Sequence, residues 1–171
     1  GLLGQLVELY HFGKKPDNKP TPDFPNAGEN GVELKCTGLK DKDSAKEPLR
    51  ITKINLERIT FSQFINKASL IMLVLYDWEK NTYMEDFIVS KTKMFDLKND
   101  MSQKIYLRIK KDYETILKCL RNGDIKNHRK KTSYIEAKTQ DSKQSDERAF
   151  YFKESFLDII IAGTDGYKEP F

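Results

Sequence analysis

The stretch Gly31-Val32-Glu33-Leu34-Lys35-Cys36-Thr37 alternates polar and apolar residues, a period of two that fits an extended strand with Glu33 and Lys35 on one face. A loop containing Pro25, Asn26, Gly28, Asn30 and Gly31 precedes it, with Pro22-Asp23 on the loop's far side. If Asp23 stays away, the charged face does no more than keep an edge strand soluble. If the loop folds back, two carboxylates and an ammonium converge. Hard carboxylate oxygens suit a divalent cation. Such a cation polarises a phosphoryl oxygen and lowers the pKa of a bound water, while a nearby lysine supports the attacking hydroxide or the developing charge. That set is suited to phosphodiester hydrolysis. A Pro-Asp followed by Glu-x-Lys also arises by chance in lysine-rich chains, so the turn-and-strand setting carries more weight than the letters.

With 171 residues the chain suits one domain over 1–171, large enough to bury a core without disulfides. Because it opens abruptly on Gly1-Leu2-Leu3-Gly4, a domain excised from a longer chain is expected. Lys plus Arg number 30 against 26 Asp plus Glu, a formal +4 with pI near 8.9. That balance permits a nucleic-acid partner without requiring one. The cations are densest at Lys126-Asn127-His128-Arg129-Lys130-Lys131, and density matters because phosphate contacts are local. Cys36 and Cys119 stand far apart with no second ligand pair, which suggests neither a zinc knuckle nor a disulfide framework and fits a reducing, cytoplasmic setting. His11 and His128 lack partners at ligand spacing, so no histidine mechanism is expected. The longest apolar run, Leu70 to Tyr76, is far short of a membrane span, and no signal peptide is evident.

Leu2, Leu3, Leu6, Val7, Leu9 and Tyr10 recur at helical spacing up to Gly13, which predicts an opening helix that carries Glu8. Loop follows from Lys15 to Gly31, then strands at Val32 to Thr37 and Leu49 to Ile54 around a charged turn. Ser69 to Trp78 and Tyr83 to Phe95 predict two long strands joined by a polar hairpin, expected at the sheet centre. Ile105, Ile109, Ile116, Leu117 and Leu120 mark one face of a helix from Asn99 to Leu120 that stops at Asn122-Gly123. Short strands at Tyr134 to Thr139 and Arg148 to Phe152, joined by Gln140 to Glu147, and a helix at Glu154 to Ala162 complete the reading. The expected class is α/β (α+β), a mixed central sheet flanked by helices. Asp77, Glu79, Glu85 and Asp86 flank the hairpin turn and read as solvated charges, not a second metal site.

Three blocks in order, Gly1-Leu2-Leu3-Gly4-Gln5-Leu6-Val7-Glu8, Lys19-Pro20-Thr21-Pro22-Asp23-Phe24 and Gly31-Val32-Glu33-Leu34-Lys35, resemble the family of MutH and the GATC-cutting restriction endonucleases. Its helix motif G-x-x-G-x-x-x-E is matched at Gly1, Gly4 and Glu8, and Arg148-Ala149-Phe150-Tyr151-Phe152-Lys153 looks like its F-Y-x-K block. The resemblance implies a PD-(D/E)XK restriction-endonuclease-like fold, Mg²⁺-dependent hydrolysis and recognition of GATC in double-stranded DNA. By motif it implies Glu8, Asp23, Glu33, Lys35 and Lys67 as the active-site set, with Asp23, Glu33 and Glu8 as metal ligands. It also implies Lys138, Tyr151 and Lys153 as DNA-binding residues, with Tyr151 in the block linked to reading adenine methylation. Arg129 and Lys130 of the basic cluster join them as phosphate contacts.

Asp43 to Glu47 and the Tyr76 to Lys80 segment look more like the restriction enzymes than the repair nickase, so a type II restriction endonuclease is the favoured expectation. The alternatives are a MutH-like nickase that cuts one strand, and a non-catalytic DNA-binding half of such an enzyme. A homodimer or a second domain of the same chain is a possible partner for double-strand cutting. The loop from Phe24 to Asn30 must fold back for any of the catalytic readings to hold.

Overall fold

The computed structural model describes residues 2–15, 21–27, 29, 31–40, 43–80, 82–83, 86–139 and 147–163. Gly1, the Lys19-Pro20 pair, Gly28, Asn30, Asn81, Glu85 and most of the Gln140 to Glu147 connection lie outside these residues. The chain opens with helix α1 (Leu2–Leu6), which runs into a π-helical turn at Val7–His11. Strands β1 (Glu33–Lys40), β2 (Ser44–Ala45) and β3 (Leu49–Ile54) come next, then helix α2 (Phe61–Ala68). Strands β4 (Leu70–Asp77) and β5 (Val89–Asp96) lead into the long helix α3 (Gln103–Arg121). A short helix α4 (His128–Lys131), strands β6 (Ile135–Thr139) and β7 (Arg148–Phe152), and helix α5 (Glu154–Ala162) close the sequence.

The architecture is mixed α/β, as expected, but the strands form two hydrogen-bonded sheets. One has the order β2-β1-β4-β5, the other β3-β7-β6. β1 runs parallel to β4, with Glu33 opposite Ile71 and Lys35 opposite Leu73, and β5 is antiparallel to β4. The intervening β2, β3 and α2 supply the long crossover that a parallel pair requires. β1 and β3 do not share a sheet. β2 pairs back on the end of β1 through Leu39 and Ala45, and Pro48, which has no N–H to donate, then takes the chain out of that ladder. β3 pairs with β7 instead.

The second hairpin strand starts at Val89, not Tyr83, and β5 lies at the sheet edge. The centre belongs to β1 and β4. Ile71, Leu73, Val74 and Leu75 of β4 are buried, whereas β5 is mostly exposed, as expected of a strand covered on both faces and a strand at a rim. Both sheets close on one core, in which Phe64, Phe95, Phe150, Phe152 and Phe156 are fully buried. Each such ring contributes about 1.5–3 kcal/mol by leaving water.

The chain's periodicity does not reveal α2, because eight residues give only two turns. Its N-terminus is nevertheless well marked. The Thr60 hydroxyl accepts from the Gln63 amide at 3.2 Å, and the Gln63 side chain accepts from the Thr60 amide at 3.0 Å, a reciprocal cap. Phe64 anchors the helix in the core against Tyr113 and Phe150, and Lys67, three residues on in the last turn, stands on a neighbouring, largely covered face. α3 ends where expected, stopped at Gly123 with φ +70°, but starts at Gln103 and not Asn99, because Ser102 caps it there. No helix among the described residues is long and apolar enough to cross a membrane.

Candidate active site

Four separate chain segments meet at the start of β1. The first is the opening helix, whose π turn carries Glu8, a side-chain carboxylate largely withdrawn from water. Gly13 ends that helix at φ +64°, a conformation L side chains avoid, and the Lys14 amide bonds back to the Glu8 carbonyl at 2.9 Å. The second is the loop. Phe24 and Val32 exchange both backbone hydrogen bonds, at 2.9 and 3.0 Å, so the loop does fold back on β1. Gly31 makes this approach possible: it has φ +78°, and a Cβ there would lie 3.0 Å from the Phe24 carbonyl oxygen, Pro22 Cβ and Pro25 Cα.

That fold-back brings Asp23 to the strand, where its Oδ2 accepts the Leu34 amide at 2.9 Å. Glu33 itself is buried at 3 % exposure. Lys35 on the same strand donates to Glu33 Oε1 at 2.6 Å. Lys67, from α2, donates to Oε2 at 2.8 Å and also to the Thr21 carbonyl. Both oxygens of this buried carboxylate thus have a lysine partner, which offsets the cost of burying it. Lys14 stands over the other two acids, its Nζ 3.6 Å from Asp23 Oδ1 and 4.0 Å from Glu8 Oε2.

The electrostatics show how close the acids come. Burial pushes the Glu8 carboxyl above the usual range, the negative charges of Asp23 and Glu33 push it further, and Lys14 and Lys35 oppose them. Glu8, Asp23, Glu33, Lys35 and Lys67 are thus brought together from positions far apart in sequence. The expected three-carboxylate ligand set is not closed, however. Among the described residues no group of three or more His, Cys, Asp or Glu side chains is arranged to hold one ion. Lysines stand between the acids, because three carboxylates this near one another repel. The donors do suit Mg²⁺, which is commonly held by one or two carboxylates and completes its octahedron with water and phosphate oxygens.

With this geometry in view, the family comparison decides the chain's affiliation: the profile described as DNA mismatch repair enzyme MutH matches residues 12–112. This chain belongs to the MutH family. The MutH match takes in Asp23, Glu33, Lys35 and Lys67, while Glu8 lies before it and the second sheet's β6 and β7 after it. The type II restriction enzyme Sau3AI of Staphylococcus aureus is 30% identical over 184 residues, covering 93% of this chain and 36% of the relative. The chain therefore spans about a third of that relative's length.

The basic cluster of this MutH-family chain lies on the second sheet, where it is organised by buried acids. Glu136 on β6, only 1 % exposed, pairs through Oε2 with Arg129 Nε at 2.8 Å and through Oε1 with Lys138 Nζ at 3.3 Å. The second pair is electrostatic, without hydrogen-bond alignment, since Oε1 has no hydrogen-bond partner. Buried His128 accepts the Ala137 amide at 3.0 Å, which ties α4 to β6 and gives this histidine a structural position. Asp112 of α3 accepts the Ser133 and Tyr134 amides at 2.8 and 2.7 Å and fixes the entry to β6.

Arg129 and Lys130 are exposed, Lys138 is half-buried, and Tyr151 lies opposite Glu136 in the β6–β7 register. Lys153 has partners within the chain. Its ammonium donates to the Arg129 and Thr132 carbonyls, and burial lowers its pKa. It is spent on closing the α4 turn because those carbonyls lack helical partners. Asp77, Glu79 and Asp86 are exposed, as expected of solvated charges. Two residues escape sequence reasoning, Lys14 and Glu136. Gly13 as a helix stop followed by a cation is the signal for the first, whereas an acid in a basic strand gives none for the second.

Proposed function

We propose that this chain is the catalytic region of a Mg²⁺-dependent type II restriction endonuclease that hydrolyses phosphodiester bonds of double-stranded DNA at GATC. The observation that carries this reading is the fold-back of Asp23 onto β1, with Glu33 clamped by Lys35 and Lys67 beside it. MutH-family membership supports hydrolysis of DNA, and the likeness to a restriction enzyme over nearly the whole chain favours double-strand cutting over nicking. The GATC sequence rests on the resemblance of the three N-terminal blocks.

Asp23 through Oδ1, Glu8, and Glu33 through lone pairs that its two lysines leave over would hold Mg²⁺. When bound, the ion polarises a phosphoryl oxygen and lowers the pKa of a coordinated water. The Leu34 amide keeps Asp23 Oδ2 occupied and so orients the other oxygen toward the site. Lys35 sets its Nζ against Glu33, where it offsets the charge that grows on the phosphoryl oxygens. Lys67, tied to both Glu33 and Thr21, orients the buried carboxylate and joins α2 to the loop. Arg129, Lys130 and Lys138 neutralise phosphates along the duplex, and base identity is read in the major groove, where an adenine N6 methyl group is felt.

Digestion of a plasmid with mapped GATC sites, in Mg²⁺ and in EDTA, with Glu33→Ala as control, tests reaction, metal and site together. Linear DNA cut at GATC only in Mg²⁺ is expected. Open circles alone indicate a nickase, and binding of GATC duplex without cleavage indicates a non-catalytic DNA-binding half.

A further inference from the structure

Lys14 holds a position that the hydrolytic reading does not use. Gly13 turns the chain at φ +64°, the Lys14 amide returns to the Glu8 carbonyl, and the side chain is thrown back over the helix end that carries Glu8. Its ammonium also reaches the Asp23 oxygen that the Leu34 amide leaves open. We propose that Lys14 is an exchangeable counter-cation of the Glu8 and Asp23 carboxylates, competing with a divalent ion for the same oxygens. The inference rests on the reading of Asp23 and Glu8 as ligands of that ion.

Two features distinguish Lys14 from the other two lysines of the site, its longer contacts and its place beside the Phe24 ring. Lys35 and Lys67 make short hydrogen bonds to Glu33, at 2.6 and 2.8 Å. Lys14 stays at 3.6 and 4.0 Å, beyond hydrogen-bond reach, so moving it breaks an electrostatic contact and no hydrogen bond. Its side chain is 25% exposed, close to the 21% of Lys35 and above the 12% of Lys67, which leaves it a path to water. It also lies 5.7 Å from the centre of the Phe24 ring, a weak cation–π contact that keeps a displaced ammonium near the site. A divalent ion brings twice the charge to the same oxygens and displaces the monovalent group. Until it does, Lys14 relieves the repulsion between two carboxylates that would otherwise strain the fold-back of the loop.

The test is calorimetric titration of Mg²⁺ into the protein without DNA, for the wild type, Lys14→Met, Lys14→Arg and Asp23→Asn, with melting temperatures in EDTA and in Mg²⁺. Lys14→Met is expected to bind Mg²⁺ more tightly, on the order of tenfold given a partly exposed pair. It should melt lower than wild type in EDTA and gain more from Mg²⁺. Lys14→Arg, which keeps the charge, should bind like wild type. If Lys14→Met does not melt cooperatively, Lys14→Gln takes its place. Equal or weaker Mg²⁺ binding without the lysine overturns the competition while leaving the metal-dependent reading intact. Heat of binding absent from every variant, or unchanged in Asp23→Asn, overturns that reading and this inference with it.

Discussion

The carboxylate of Asp23 accepts the backbone amide of Leu34 at 2.9 Å, which ties a loop residue into β1 next to Glu33. Position and charge at Asp23 are therefore separable. An asparagine can still accept the Leu34 amide but cannot offer an anionic oxygen to a cation. Asp23→Asn is expected to melt within about 1 kcal/mol of wild type and to lose cleavage by about a hundredfold or more. Asp23→Ala should lose both. Differential scanning calorimetry beside single-turnover cleavage checks the pair, and an active Asp23→Asn enzyme removes Asp23 from the chemistry.

Gly31 offers a second separation, between backbone strain and crowding. Gly31→Ala faces φ +78° and three neighbouring atoms at 3.0 Å, two of them backbone. It should cost about 1–3 kcal/mol and open the Phe24–Val32 bridge, abolishing cleavage. Gly123→Ala has φ +70° but nothing within 4 Å, so it should cost about 1 kcal/mol with cleavage intact. Urea unfolding together with plasmid digestion of both variants provides the comparison.

Glu8 carries a pH prediction. Burial, then the negative charges of Asp23 and Glu33, raise its folded-state pKa above the ordinary value of 4.5 against the opposing pull of Lys14 and Lys35. The folded chain therefore holds the proton more tightly than the unfolded chain, and Glu8's favourable contribution is present below that value and lost as pH rises through the raised pKa. Glu8→Gln, which cannot ionise, should melt like wild type near pH 4.5 and above it at pH 7, both in EDTA. Cleavage in Mg²⁺ should fall. A melting-temperature difference that shrinks as pH rises contradicts the assignment.

On the second sheet, cations paired with the Glu136 carboxylate and a cation bonded to backbone carbonyls should respond differently to salt. Arg129→Ala and Lys138→Ala should each reduce the slope of log K against log salt for duplex binding by about 0.9. Lys153→Met should leave the slope unchanged and cost about 1–3 kcal/mol of stability, because the Arg129 and Thr132 carbonyls lose their donor. Fluorescence anisotropy with a labelled duplex in Ca²⁺, at several salt concentrations, reads the slopes. A reduced slope for Lys153→Met instead counts that residue among the DNA contacts.

Cys36 follows Glu33 and Lys35 on β1, and burial pushes its thiol up to about 11. Alkylation at pH 8 should therefore run on the order of a hundredfold slower than for a free thiol. Mass spectrometry of iodoacetamide-treated native protein measures it.

Local chemistry made much of this protein legible in its sequence. Alternation marked β1, the Asn122-Gly123 stop marked the end of α3, and the short apolar runs marked β6, β7 and α5, because each signal lies within a few residues of the structure it specifies. Asp23, Glu33 and Lys35 were legible because two share a strand face and the third precedes a loop rich in turn residues. Long-range pairing was not. Nothing local states that β1 runs parallel to β4 while β3 joins β7, or that β5 forms an edge, since those choices depend on which faces the rest of the chain can cover. Tertiary packing alone set Lys67 against Glu33, turned Lys153 inward to two carbonyls, buried Glu136 beneath Arg129 and Lys138, and stood Lys14 between two acids. Side-chain charge is written in the sequence, but its partner is selected by the fold, because the energy of a charge depends on the dielectric and the neighbours that only the packed chain provides.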